Sequence, residues 1–300
     1  MASRIGEEFV PGIFVWTGFA YKGEAGPWPR KGLEISFFDY VGNKTPRGHQ
    51  FESFWLNQPK VYLATIEAEK SEYQYDSEQG WLFTERTNPN KRMQWLRKWE
   101  WFNVRETWNY PANQDVIVHV YSNTDESELF LNGQSLGKQR ITDDNDRILF
   151  WQLPFTAGEL KVVGYNNGVK QAEYSLNTHS EVAAIKLSTN KKQLSADNYD
   201  VAHVNVKLVD KNGFTVNAQA HKVNFALSGN GQMLGVDNGW EMNVENAIKE
   251  NVQSYLGKAM AIIQATDEPG NITLTVSLDN GLSSSITLIS KAVTSKEGGK

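Results

Sequence analysis

Two Asn-Gly pairs constrain this chain more than any other feature. Asn132-Gly133 lies between short β-prone runs, and Asn167-Gly168 lies between LKVVGY and KQAEYSL. A two-residue hairpin connection in a type I′ turn needs positive φ at both central positions, which Asn and Gly supply at little steric cost. Each pair therefore predicts a tight antiparallel hairpin, and with it a mainly β fold.

The flanking residues have the period of strands. Val116, Val118 and Val120 alternate with Ile117, His119 and Tyr121; Leu129 and Leu131 alternate with Glu128, Phe130 and Asn132. Seven or so short strands with such turns predict an immunoglobulin-like β-sandwich over residues 59–178. The same grammar returns over 180–290. Val204, Val206 and Leu208 alternate with His203, Asn205 and Lys207, Asp210 to Gly213 turns the chain, and Val223, Phe225, Leu227, Ile272, Leu274, Val276, Leu278, Ile286 and Leu288 follow. This predicts a second, C-terminal sandwich of the same kind. The insertion at 238–257 reads as a long loop or short helix, and 291–300 as a disordered tail. His119 and His203 fall in the solvent-facing register of their strands.

Residues 1–58 differ in kind. The run at 9–16, FVPGIFVW, predicts a short strand buried on both sides. Turn-formers follow in GEAGPWPRKG, then an apolar stretch at 35–40, and residues 49–55 begin a helix. This segment is too small to own a core and reads as part of something larger. The chain holds ten Trp, eleven Tyr and fourteen Phe. Flat rings fill cores, but they also stack on the apolar C–H faces of sugars.

Much chemistry is disfavoured by composition. The net charge is −5 with Lys and Arg scattered, so no basic face for nucleic acid is expected. There is no cysteine, which removes thiolate catalysis and cysteine zinc sites. MASRIGEE lacks the apolar run of a signal peptide, and no apolar stretch reaches the ~18 residues of a membrane span. The expectation is a soluble chain with no export signal of its own and no membrane partner. Neither a G-x-S-x-G elbow nor a P-loop is present, and none of the five histidines sits at H-x-x-x-H spacing. No metal or cofactor is expected.

Paired carboxylates are the remaining hydrolytic route. A retaining glycosidase needs two carboxyl groups ~5–5.5 Å apart. Glu24, Glu34 and Asp39 are the acids near the aromatic segment, and their spacing marks no pair. No catalytic residue is assigned. Trp95, Trp99, Trp101 and Trp108 cluster in MQWLRKWEWFNVRETW. They either stack on a glycan or pack the junction between the first segment and the first sandwich.

GIFVWTGFAYKGEAGPWP followed by LEISFFDYVGNKTPRGHQFESFW resembles the end of the catalytic barrel in family 2 glycoside hydrolases, especially bacterial β-galactosidases. TWNYPANQDVIVHVYSNTDESELFLNGQSLG is similar to the sandwich that follows that barrel. AAIKLSTNKKQLSADNYDVAHVNVKLVDKNG and GVDNGW…YLGKAMAIIQAT look like a further immunoglobulin-like domain of the same enzymes. The resemblance implies that 1–58 is the last fragment of a (β/α)8 barrel and that the function is retaining hydrolysis of terminal β-galactosides. It places the two catalytic glutamates on earlier barrel strands, so the chain alone is expected to be inactive. A (β/α)8 barrel needs roughly 250 residues.

By the same resemblance Trp16 floors the sugar site and is followed by a non-proline cis peptide, and Glu24 is the acid of the adjoining loop. Ala20 departs from the family, where an acidic residue is frequent. The implied partner is carbohydrate and the implied parent enzyme is bacterial, periplasmic or secreted. A lone barrel strand at 13–16 should expose an edge and drive self-association. The other readings are a non-catalytic carbohydrate-binding module and a structural β-sandwich spacer.

Overall fold

In the computed structural model, which describes residues 14–23, 28–32, 35–83, 103–142 and 147–293, both Asn-Gly pairs close hairpins. Asn132 and Gly133 have φ of 51° and 82°, and Asn167 and Gly168 have 51° and 76°. All four lie in the left-handed region that the turn type requires. Among the described residues no helix is long and apolar enough to cross a membrane.

The described residues divide into two units. The first takes those of Met1–Lys22, Leu33–Asp39 and Asn43–Thr178; the second takes those of Gly23–Gly32, Tyr40–Gly42 and His179–Lys300. Of residues 1–58, the described parts of 23–32 and 40–42 group with the second unit and the rest with the first.

The first unit opens with helix α1 (Pro46–Trp55) and strands β1 (Val61–Glu67), β2 (Tyr73–Asp76) and β3 (Gly80–Phe83). It continues with β4 (Asp115–Ser122), β5 (Glu126–Leu131), β6 (Gln134–Arg140), β7 (Ile148–Pro154), β8 (Glu159–Asn166) and β9 (Val169–Asn177). A sheet of order β1-β4-β7 faces one of order β6-β5-β8-β9. Between them lie Val61, Leu63, Val116, Val118, Val120, Leu129, Trp151, Leu160 and Val162. Burying each such side chain contributes about 1.5–3 kcal/mol. Trp108 is also in this core, its indole N–H donated to the Thr156 carbonyl at 3.0 Å. It thus packs the sandwich interior; Trp95, Trp99 and Trp101 lie outside the described residues.

The other face of β1-β4-β7 is not solvent. Tyr62, Ile66, Ile117, Tyr121, Ile148 and Phe150 pack there with Tyr73 of β2, Trp81 of β3, Val104 and Tyr174. This corrects the expectation for His119, which is 1% exposed. Its ring lies 4.8 Å from that of Phe150 and 6.1 Å from that of Tyr73. The β2–β3 hairpin supplies a third layer that alternation along β4 alone does not announce. His203 is exposed, as its register predicts.

The second unit holds β10 (Ala184–Thr189), β11 (Gln193–Ala196), β12 (Val201–Val209), β13 (Lys222–Gly229) and β14 (Gly231–Asp237). It ends with β15 (Asn251–Gln253), β16 (Lys258–Ala265), β17 (Gly270–Leu278) and β18 (Ser283–Ala292). Sheets of order β10-β12-β16-β14 and β11-β18-β17-β13-β15 enclose Val204, Val206, Leu208, Val223, Phe225, Ile272, Leu274, Val276 and Leu288. The apolar alternation read from sequence is the buried face. The insertion at 238–257 is loop with short strand β15 inside it, and holds no helix. The last strand runs further than expected: Lys291 and Ala292 pair in parallel with Ser195 and Ala196, so the tail does not start at 291. The turn at 210–213 forms with the Asp210 carboxylate accepting from the N–H groups of Ser180, Asn212 and Phe214. Burial opposes its ionisation, and these three donors outweigh that and hold its pKa below the usual carboxylate value.

Candidate functional site

The aromatic segment of the first unit is built by short backbone contacts. Residues Phe19 and Phe38 form a parallel bridge. The N–H of Phe38 donates to Gly18 at 2.9 Å, and that of Ala20 donates to Phe38 at 2.8 Å. The Phe19 and Phe38 rings stack at 4.9 Å. Asp39, one of the acids near this segment, is committed to a turn. Its two carboxylate oxygens accept from the Asn43 backbone and side-chain amides at 2.8 and 2.9 Å.

Helix α1 follows, three residues earlier than residues 49–55 suggest. Thr45 caps it by accepting the Gly48 N–H, and Pro46 supplies a fixed φ at the first helical position. A Cβ at Gly48 would stand 2.5 Å from the Phe37 carbonyl oxygen, so the helix lies directly on that backbone. Phe37, Phe51, Phe54 and Trp55 pack edge to face or tilted across this seam. At the exit of α1, Glu52 pairs with Lys44, Lys60 and His49, and the His49 ring stacks on Tyr62 at 3.9 Å. Burial, helped by Lys44, pulls the Lys60 ammonium down to about 8. Asn123, from the VYSN stretch, ties the same exit to β4. Its amide donates to the Leu56 and Gln58 carbonyls at 2.8 Å each.

Trp16 is 59% exposed. Its indole N–H donates to the Tyr21 hydroxyl at 2.9 Å, and the two rings stand edge to face, 5.9 Å apart at 87°. Tyr21 thus fixes the plane of the indole without lying against its face, which leaves that face free to stack on a flat apolar ligand surface. The Trp16–Thr17 peptide is cis, as is Trp28–Pro29. The strand expected at 9–16 does not appear in its described part. Residues 14–16 have no strand partner and Phe14 is fully exposed, because no neighbouring strand among the described residues covers it. Glu24 and Glu34 lie outside the described residues.

Sequence reasoning missed Tyr21 and Asn123. Tyr21 was within reach, five residues from Trp16. The partners of Asn123 are more than sixty residues away and leave no local signal.

Comparison with known proteins follows the same division. Residues 185–287 match the glycoside hydrolase family 2 C-terminal domain 5, and residues 113–172 match a domain of unknown function, DUF4982. The chain is 28% identical over 286 residues to the β-galactosidase BoGH2A of Bacteroides ovatus, covering 94% of this chain and 29% of that protein. It is 24% identical over 169 residues to a β-glucuronidase of Formosa agariphila, covering 56% of this chain and 17% of that protein. A solved glycosyl hydrolase family 2 member from Bacteroides cellulosilyticus superposes with a TM-score of 0.81 at 26% identity, over 92% of this chain and 35% of that one. The chain thus spans less than a third of the length of these curated relatives. In sequence and in fold, the chain is similar to the C-terminal portion of family 2 glycoside hydrolases.

Proposed function

We propose that this region completes a retaining glycosidase acting on terminal β-galactosides. In this reading residues 1–58 close a (β/α)8 catalytic barrel, and 59–178 and 180–290 are immunoglobulin-like sandwiches behind it. The observation that carries it is Trp16, an exposed indole held in plane by Tyr21, as the floor of a sugar site requires. Barrel active sites sit at the C-terminal ends of strands, where a Trp closing the last strand would meet the substrate. Glu24 contacts the substrate from the adjoining loop.

Retaining hydrolysis needs two carboxyl groups close together, one as acid/base and one as nucleophile. The resemblance to family 2 enzymes assigns the acid/base and the nucleophile to barrel strands outside these 300 residues, and Asp39, whose oxygens are held by Asn43, is given neither role. The chain alone is then inactive and binds no cofactor. The B. ovatus relative favours a galactoside. The F. agariphila relative favours a second reading, a β-glucuronide, whose carboxylate would need a cation beside Trp16.

Aryl β-galactoside and β-glucuronide assays test this directly. The isolated chain should turn over neither. With a family 2 barrel segment fused in front, the galactoside should be cleaved faster. Turnover by the isolated chain that Glu24→Gln abolishes would overturn the assignment.

A further inference from the structure

We propose that the second unit carries a carbohydrate platform of its own, formed by Trp240 stacked on Tyr255 and rimmed by Arg30. The two rings lie 5.4 Å apart at an interplanar angle of 14°. Tyr255 covers one face of the indole, yet 38% of Trp240 remains exposed while its neighbours Asn238, Gly239, Glu241 and Asn243 are buried. A Trp whose flanks are anchored and whose ring is left in solvent is presented outward by its loop.

That loop is fixed before any ligand arrives. The Asp237 carboxylate accepts the N–H groups of Asn238 and Gly239 at 2.7 and 3.0 Å. Asn238 accepts the Trp240 N–H at 2.9 Å and donates its side-chain amide to the Gln253 carbonyl at 2.9 Å. Such preorganisation removes ordering entropy from the cost of binding.

The rim is polar. Glu241 is ion-paired with Arg30 at 3.1 Å, and its carbonyl accepts the Lys31 N–H at 3.0 Å. The Arg30 side chain keeps 41% of its surface exposed, leaving guanidinium donors for further partners. One flat aromatic face beside exposed donors matches a pyranose, which offers an apolar C–H face and hydroxyls around its edge. It is too small for a lipid surface, and the paired acids beside it disfavour polyanions. The ligand class is therefore a neutral polysaccharide. Binding of this kind needs no catalytic pair, and its test reads retardation rather than turnover, so it can fail or hold independently of the hydrolytic reading even though Arg30 belongs to the stretch 1–58.

Affinity electrophoresis of the full chain in gels containing soluble β-1,4-galactan or xylan tests the platform. At least one polysaccharide should retard the chain. Trp240→Ala should abolish the retardation, and Arg30→Ala should weaken it at least threefold without touching the stack. Trp28→Ala, an exposed Trp of the same unit, should leave it unchanged. A chain that neither polysaccharide retards, or retardation that survives Trp240→Ala, overturns the proposal. Should Trp240→Ala lose its β-sheet circular dichroism, the Arg30→Ala result decides.

Discussion

The side-chain oxygen of Asn123 accepts the Lys60 N–H at 2.6 Å, while the Lys60 carbonyl accepts the Asn123 N–H at 3.2 Å. With the two amide donations to Leu56 and Gln58, one side chain satisfies the backbone between α1 and β1. Asn123→Ala removes three such bonds and leaves their partners to water. Denaturant unfolding of the first unit should lose about 1–3 kcal/mol. Asn123→Asp keeps the acceptor and forfeits both donors, so it should fall between wild type and alanine.

Gly48 is the second point where α1 is fixed. A methyl group there meets the Phe37 carbonyl oxygen at 2.5 Å, a contact that the helix can relieve only by moving off the backbone. Gly48→Ala gains helix propensity, about 1 kcal/mol, but overpacking costs about 1–3 kcal/mol. The net expected outcome is lower stability with faster protection loss in hydrogen exchange along 46–55. Equal or higher stability would show that the seam can open.

What depends on near neighbours is legible in the sequence. The two Asn-Gly turns, the apolar alternation of β12, β13 and β17, and the 210–213 turn that Asn212 and Phe214 close on Asp210 depend on neighbours within a few residues. What failed depended on distant chain. His119 looks solvent-facing because the β2–β3 hairpin that covers it comes from forty residues earlier, with no pattern linking the two. The run at 9–16 looks like a buried strand because its composition suits one, but composition does not supply the neighbouring strands. Trp16 is singled out by its motif alone, whereas Tyr21, which orients its ring, becomes a partner once the turn at 17–20 is formed.

The burial of His119 makes acid stability a measurable consequence. Desolvation lowers its pKa to about 3 in the folded protein, against about 6.5 in an unfolded chain. Between those values the unfolded state binds a proton that the folded state refuses, so stability falls as pH falls from about 6.5 to about 3. The expected slope from this group is about 1.4 kcal/mol per pH unit. His119→Leu removes the titrating group while keeping an apolar filling for its space. Its unfolding free energy should decline less steeply over that window than that of the wild type. Parallel slopes would mean that His119 is protonated in the native state.

The exposed aromatics of the first unit set the last expectation. Phe14, Trp16, Phe19, Trp55 and Leu56 are all exposed within 14–56, and apolar area of that kind is normally covered. If this surface belongs against barrel strands, the isolated chain should bury it against another copy. Light scattering should then report a mass that rises with concentration between about 1 and 100 μM. Trp55 and Phe19 are peripheral to the sandwich core, so Phe19→Ser with Trp55→Ser should shift the chain toward monomer without lowering the melting temperature of the sandwiches. Association that persists in this double variant would move the contact elsewhere, to an edge strand such as β6 or β15. A monodisperse wild-type chain would remove the need for a partner at this surface, and with it one support for placing residues 1–58 in a barrel.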